Sequence, residues 1–367
     1  MLTITYHDST SVTNIDPLVC SVNISGDASQ AARKMTLTLQ GTSDGVTRLV
    51  TLEKGCEVRA LSGTVEVFRG VIFSDAMDAT GRLTITAYDY NVYLTKNTDT
   101  RKFTKVTASA IIKTLCAAFG IPTGTIEDTG YVIPKMIFEN KTLWDMMVMA
   151  LTYTKKQTGV QYFVYTDAGK LCVGQFTKPT SRVVFEPGVN MTGISRSTSI
   201  ENVATRLRLY GKGKNNKTIN VTVSDADLIK KYGVMQAFES PDETTTASAA
   251  AQKATALLND LKTPSDDVKV ECIGLDEVVA GSAIYLVAEL VGATGGYYVA
   301  SDSHSYDGDA HTMTLNLSKT DVIPVLEYDG ETTTTTTTKK TTATSKASSS
   351  DAGVLGNIKG TDDSTIN

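Results

Sequence analysis

The sequence predicts an α+β chain that is mainly β. Two β blocks flank a compact α/β module, a helical insertion splits the second block, and a low-complexity arm ends the chain. Three observations carry this reading. Short β-branched segments separated by glycine-containing turns occupy both ends of the first 328 residues. Helical periodicity is confined to a few internal windows. Fifteen Tyr against one Trp, with abundant Thr and Val, favour pleated, half-buried surfaces.

The clearest β signal is Val67–Asn97. Phe68–Ser74 and Arg82–Tyr88 read as antiparallel strands around the turn-rich Asp75–Gly81. In the second of them Leu83, Ile85 and Ala87 share one face, and Arg82, Thr84, Thr86 and Tyr88 share the other. An aromatic exit follows at Tyr88, Tyr90 and Tyr93. Upstream, Leu2–Tyr6, Val19–Ser25, Lys34–Gln40 and Cys56–Leu61 are candidate strands, so residues 1–97 predict a small barrel or sandwich.

The pattern changes at Thr98. Thr107–Phe119 places Ile111, Ile112, Leu115, Cys116 and Phe119 on one helical face, with Gly120 as the stop and Pro122 beyond it. A second helix is expected over Thr142–Lys155, where Thr142 and Asp145 have capping-box spacing. Val160–Thr166 and Lys170–Gln175 predict a hairpin around Asp167, Ala168 and Gly169. Residues 98–176 are thus a small α/β domain.

Strands resume at about Arg182, with Arg206–Tyr210 the clearest, and the basic turn KGKNNK follows at 212–217. Asp225–Tyr232 and the Ala-rich Thr246–Leu261 predict helices, the latter ended by Pro264. Val268–Ile273, Ala283–Val287, Tyr297–Ser301 and Thr312–Leu317 are again strands. The second β block is therefore expected at 177–223 and 268–328, interrupted by a helical insertion at 224–267. Residues 329–367 are the Thr/Ser-rich arm, which lacks the apolar content to bury a core. Val354–Ile358 is its only apolar stretch and predicts either a short docking peptide or an unanchored terminus.

Composition bounds the function. The net charge of −5 gives no general electrostatic case for nucleic acid or anionic membranes. No window has the apolar run of a membrane span, and MLTITYHDST has no basic n-region, so no signal peptide is expected. Cys20, Cys56, Cys116, Cys172 and Cys272 are odd in number and form no C-x-x-C pair, which argues for reduced thiols in a protein made in the cytosol.

Chemistry is sparse. His304 and His311 flank a turn, with Asp302, Asp307 and Asp309 beside them. On adjoining strands the two rings would face each other, yet the spacing fits no zinc signature. Cys116 lies late on an apolar helical face, unlike an activated nucleophile. Gly211–Lys214 mimics a phosphate loop weakly and is better explained as a solvated turn. Glu139 and Asp145 flank the second helix, but Asp145 has a capping role. Met146, Met147 and Met149 fit a core stripe better than an adaptable groove. No catalytic, cofactor-binding or metal-ligating residue is assigned, and no cofactor is expected.

Three stretches, taken in order, resemble a known family. CSVNISGDASQAARKMTLTLQ (20–40), FRGVIF with LTITAYD (68–89), and GLDEVVAGSAIYLV with YYVASDSHSYDGDAHTMTLNL (274–317) resemble the baseplate hub of contractile phage tails and phage-tail-like particles, whose fold is that of late control protein D. The resemblance spans about residues 1–328. It implies two similar small β-barrel domains per chain and a homotrimer presenting six of them as a ring. That ring would join a hexameric tail tube to a trimeric central spike and template tube assembly. The implied partners are the tail tube or tube-initiator protein, the central spike, baseplate wedge proteins and the tape measure protein, without sequence-specific nucleic acid or membrane insertion. The implied location is the host cytoplasm during synthesis and the tail baseplate of the particle thereafter. Within the sequence itself, Lys54–Val58 echoes Ala280–Ile284, and Arg82–Tyr88 echoes His311–Leu317. The alternatives are a tail-associated peptidoglycan hydrolase and a cell-wall-binding module in which Tyr88, Tyr90 and Tyr93 stack on sugars.

Overall fold

The computed structural model describes residues 2–176, 183–241, 245–320 and 323–328. The expected arm at 329–367, with Val354–Ile358, lies outside the described residues.

The first β block contains β1 (Leu2–His7), β2 (Val12–Asn14), β3 (Val19–Asp27), β4 (Lys34–Gln40), β5 (Glu57–Ser62), β6 (Val65–Met77) and β7 (Arg82–Tyr88). Alternation builds its core. Ile4 of β1, Leu37 and Leu39 of β4, Val58 and Ala60 of β5 and Ile85 and Ala87 of β7 are all fully buried on one face. The expected face of Arg82–Tyr88 is therefore the buried one.

The α/β module follows: α1 (Val92–Lys96), β8 (Thr98–Thr107), α2 (Ala108–Ala118), β9 (Thr123–Ile126), β10 (Val132–Thr142), α3 (Leu143–Thr158), β11 (Tyr162–Asp167) and β12 (Lys170–Gln175). Thr107 and Thr142 cap the two main helices, each hydroxyl accepting a first-turn N–H from Ala110 and Asp145. Gly159, with φ of 74°, ends α3 in the left-handed conformation. Cys116, Met146 and Met147 are fully buried, in the core that the helices share with β10. Leu94 lies in that same core, so α1 packs with this module although it was expected within 1–97.

Beyond the module lie β13 (Val184–Phe185), β14 (Met191–Ser199), β15 (Arg206–Lys212), β16 (Thr218–Ser224), α4 (Ala226–Tyr232), β17 (Gln236–Glu239), α5 (Ala250–Leu261), β18 (Ser265–Ile273), β19 (Ala283–Leu286), β20 (Gly295–Asp307) and β21 (Ala310–Ser318). Two expectations change here. Residues 206–224 do not join the second β block. β15 pairs with β16 and with β17 in a separate three-stranded sheet, whose buried Leu207 and Leu209 share a core with Ala250, Ala254 and Leu258 of α5. The insertion is thus an α/β unit, because the Leu stripe of β15 meets the apolar face of α5. Residues 323–328, expected in the second block, run instead over the α/β module. The Tyr328 hydroxyl accepts the Ile137 N–H at 2.8 Å, and Leu326 and Tyr328 pack on its core.

The two β blocks share one thirteen-stranded sheet of order β14-β18-β21-β20-β3-β4-β7-β6-β5-β1-β2, with β13 and β19 branching from β20. Among the described residues the pairing closes neither block into a barrel: the outer edge of β3 is taken by β20, and β14 forms a ladder with β18 alone. Within that sheet the strand order repeats. The first block runs β3-β4-β7-β6-β5, the second β14-β18-β21-β20-β19, and every neighbour in both is antiparallel. Bulges recur at matching places: at Val19–Ser21 and Met191–Gly193 in β3 and β14, and at Ile72–Ser74 and Val299–Ser301 in β6 and β20. Gly55 and Gly281 both have φ of 89°. Each donates its N–H to the matching strand, Gly55 to Ile72 and Gly281 to Val299, both at 2.8 Å. The echo seen in the sequence is a repeated topology.

Candidate functional site

The residues with unusual environments gather where the modules meet. The principal joint is the antiparallel pairing of β3 with β20, which sets Val22 opposite Tyr306, Ile24 opposite His304 and Gly26 opposite Asp302. Asp302, whose side chain is wholly buried, is held by Arg33 from the other block through two parallel hydrogen bonds of 2.8 and 2.6 Å. The Ala280 N–H donates to the same carboxylate at 2.7 Å. Gly26 is required beneath this pair: a Cβ there would stand 2.5 Å from Arg33 Nη1 and 3.0 Å from Asp302 Oδ1.

Below the ion pair the two histidines do come together. His304 lies on β20 and His311 on β21, with Nδ1 and Nε2 3.1 Å apart. His304 Nε2 is 3.0 Å from the Val278 carbonyl, so it carries the hydrogen, and His304 Nδ1 accepts from His311 Nε2. Burial pushes both imidazoles below their ordinary pKa, which keeps them neutral. His311 stacks on Tyr306 at 4.0 Å and 18°, and Gly274 lies so close that a Cβ would overlap the imidazole. Tyr306 donates its hydroxyl to Asp276 at 2.6 Å, and burial followed by that carboxylate raises its pKa. Burial alone would raise Asp276, but hydrogen bonds from Ser62 and Tyr306 and the two rings bring it below the ordinary carboxylate value. Asp302 is thus committed to Arg33, while Asp307 and Asp309 stand at the hairpin end. Among the described residues, no group of three metal-ligating side chains converges.

A second joint links the first β block to the α/β module. Asp89 is 2 % exposed and accepts the Thr166 hydroxyl at 3.0 Å and the Asn91 N–H at 3.0 Å; the Asn91 amide in turn donates to Thr166. Burial pushes its pKa up to about 6. Beside it lies a cavity of about 310 Å³, walled by Trp144, Leu151, Phe163 and Tyr165, with Val279–Ser282 on another side.

The remaining candidates have structural places. Tyr88 packs edge-on against Phe73 at 5.4 Å, Tyr90 donates to Glu57 at 2.5 Å, and Tyr93 lies against the α/β core, so these rings do not form a common outward platform. Burial raises the Cys116 thiol to about 11. Gly211–Lys214 closes the β15–β16 hairpin, and Asp145 lies in the capped first turn of α3. Sequence reasoning missed Arg33, Asp89, Asp276 and Tyr306. The available signals were an arginine just ahead of an alternating strand and an acid between two tyrosines, and neither names its partner.

Comparison with known proteins adds the following. A family model described as YqbQ-like matches residues 22–318. The Bacillus subtilis (strain 168) protein YqbQ is 35% identical over 306 residues, covering 83% of this chain and 93% of its own length. Protein XkdQ of the phage-like element PBSX from the same organism is 33% identical over the same shares. The 43 kDa tail protein of prophage MuSo2 from Shewanella oneidensis has the same fold, with a TM-score of 0.66 at 15% identity, covering 88% of this chain and all of the other. The sequence thus matches a protein of a phage-like element, and the fold is that of a phage tail protein.

Proposed function

This chain belongs to the YqbQ-like family, and from that premise we propose that it is the structural hub of a contractile tail baseplate. The observation that carries the proposal is the repeated strand order in one chain, together with the fold of a phage tail protein. Two equivalent β units per chain are what a three-fold assembly needs in order to present six units to a hexameric tube. In this reading residues 2–91, and 183–199 with 265–318, supply the two tube-like β units. The α/β module, with α1, and the α/β insertion built of β15, β16, β17 and α5 decorate them. The homotrimer joins the tail tube or its initiator to the central spike, meets the baseplate wedges, and leaves a channel for the tape measure protein. It acts by shape, without a catalytic, cofactor or metal site, after synthesis in the host cytoplasm.

The buried joints support a scaffold. The Arg33–Asp302 pair is consumed in holding the two units in a fixed relation, and the His304–His311 pair in bracing the β20–β21 hairpin beside it. Multi-angle light scattering and native mass measurement on the purified full chain test the reading. Trimers, alone or with the tube protein, are expected. A chain that stays monomeric with its tube partner present overturns it.

A further inference from the structure

The repeat predicts how two copies meet. Inside one chain, β3 of the first unit pairs with the distal half of β20 in the second, residues 301–306. By strand order and matching bulges, β14 is the counterpart of β3, and Ser74–Met77 of β6 is the counterpart of Ser301–His304. Among the described residues both counterparts have open edges: Gly193–Ser199 of β14 pairs with β18 alone, the one further bridge of β14 being Met191 with Pro187, and Ser74–Met77 pairs with β7 alone.

We infer that β14 of one copy pairs antiparallel with Ser74–Met77 of a second copy, reproducing the intramolecular joint between molecules. Transferring the register sets Ser74 opposite Ser199, Asp75 opposite Thr198, Ala76 opposite Ser197 and Met77 opposite Arg196. Three observations support this occupant. First, neither stretch carries a lysine or proline of its own to repel a pairing strand: 193–199 reads GISRSTS and 74–77 reads SDAM, and Lys54 beside the latter is neutralised by Asp75. Second, the small side chains of the internal joint recur in part, with Thr198 standing where that joint has Gly26. There Ser301, Asp302 and Ser303 face Asp27, Gly26 and Ser25; here Ser74, Asp75 and Ala76 face Ser199, Thr198 and Ser197. Third, the two edges lie on different units of the chain. Such head-to-tail contacts form a ring when the rotation closes, which a self-complementary pairing of one edge would not do. The inference rests on the hub reading and names its subunit interface.

Cysteine pairs test it in the full chain, with Cys20→Ser and Cys56→Ser removing the two half-buried thiols. Opposed residues in an antiparallel pair alternate between wide and close spacing. One of two adjacent pairs, Ala76→Cys with Ser197→Cys or Asp75→Cys with Thr198→Cys, is therefore of the close class. On oxidation, that pair is expected to give covalent dimers and trimers on a non-reducing gel, and each single-cysteine variant none. Ser25→Cys with Ser303→Cys reports the internal joint as a positive control. Trimers by light scattering without cross-links in either pair overturn this interface and leave the hub reading standing. A chain that never associates overturns both.

Discussion

Asp89 holds a carboxylate out of water at the joint between the first β block and the β11–β12 hairpin. Its folded pKa of about 6 lies above its ordinary 3.8, so ionisation above pH 6 costs stability, and the cost disappears as pH falls toward 4. The histidines act in the opposite sense. With folded pKa values below 6.5, the stability they contribute is present above pH 6.5 and lost as pH falls through their lowered values. The two effects oppose each other between pH 4 and 6.5. Asp89→Asn removes one of them. It keeps an oxygen for the Asn91 N–H and is expected to gain stability above pH 6, by at most ~3 kcal/mol at about 1.4 kcal/mol per pH unit. The acid-side loss then steepens, because the histidines are unopposed. Urea midpoints between pH 4 and 8 measure this, and parallel curves for parent and variant would refute it.

At the scale of the element, the repeat makes a quantitative demand. Gly55 and Gly281 share φ of 89°, and neither has an atom within 4 Å of where a Cβ would stand. Alanine at either site therefore incurs backbone strain alone, about 1–2 kcal/mol. The two losses are expected to be equal within about 0.5 kcal/mol and to add in the double variant, because the sites share no partner. Denaturant unfolding of the two single variants and the double checks this, and a large inequality would mean that the turns differ in role. These turns were legible because glycine before an alternating strand is a local signal. So were both capped helices and the hairpin at Ala168 and Gly169. β8 and β10 were not read, since TDTRKFTKVT exposes its charged side chains and VIPKMIFENKT carries a proline and a bulge. β20 was read too short, because its polar Ser303 and Ser305 look like turn residues until β3 covers that edge. The strap at 323–328 was misplaced for the same reason: its partners are Thr152 and Ile137, far away in sequence. The histidine pair was legible as a possibility and required the β20–β21 hairpin to become a contact.

The whole molecule depends on keeping two units in one fixed relation, and Arg33 is where that dependence can be measured. Arg33→Ala leaves Asp302 as a fully buried carboxylate whose guanidinium partner is gone, and breaking such a pair costs about 3–5 kcal/mol. Removing the stranded charge as well, with Asp302→Asn, is expected to restore at least half of that loss, since much of it is the cost of an unpaired ion rather than of a missing attraction. The discriminating readout is cooperativity. The β3–β20 ladder also carries Asn23 to Ser303 at 2.9 Å and Ala28 to Ala300 at 2.9 Å, but these are neutral bonds of modest net worth. If the ion pair is what couples the units, calorimetry on Arg33→Ala should resolve the single parental transition into two, and the fraction of trimer at fixed concentration should fall with it. The double variant should recover a single transition. A lowered but still single transition with undiminished trimer would assign the coupling to the backbone ladder, and the ion pair would then be a local stabiliser of one strand.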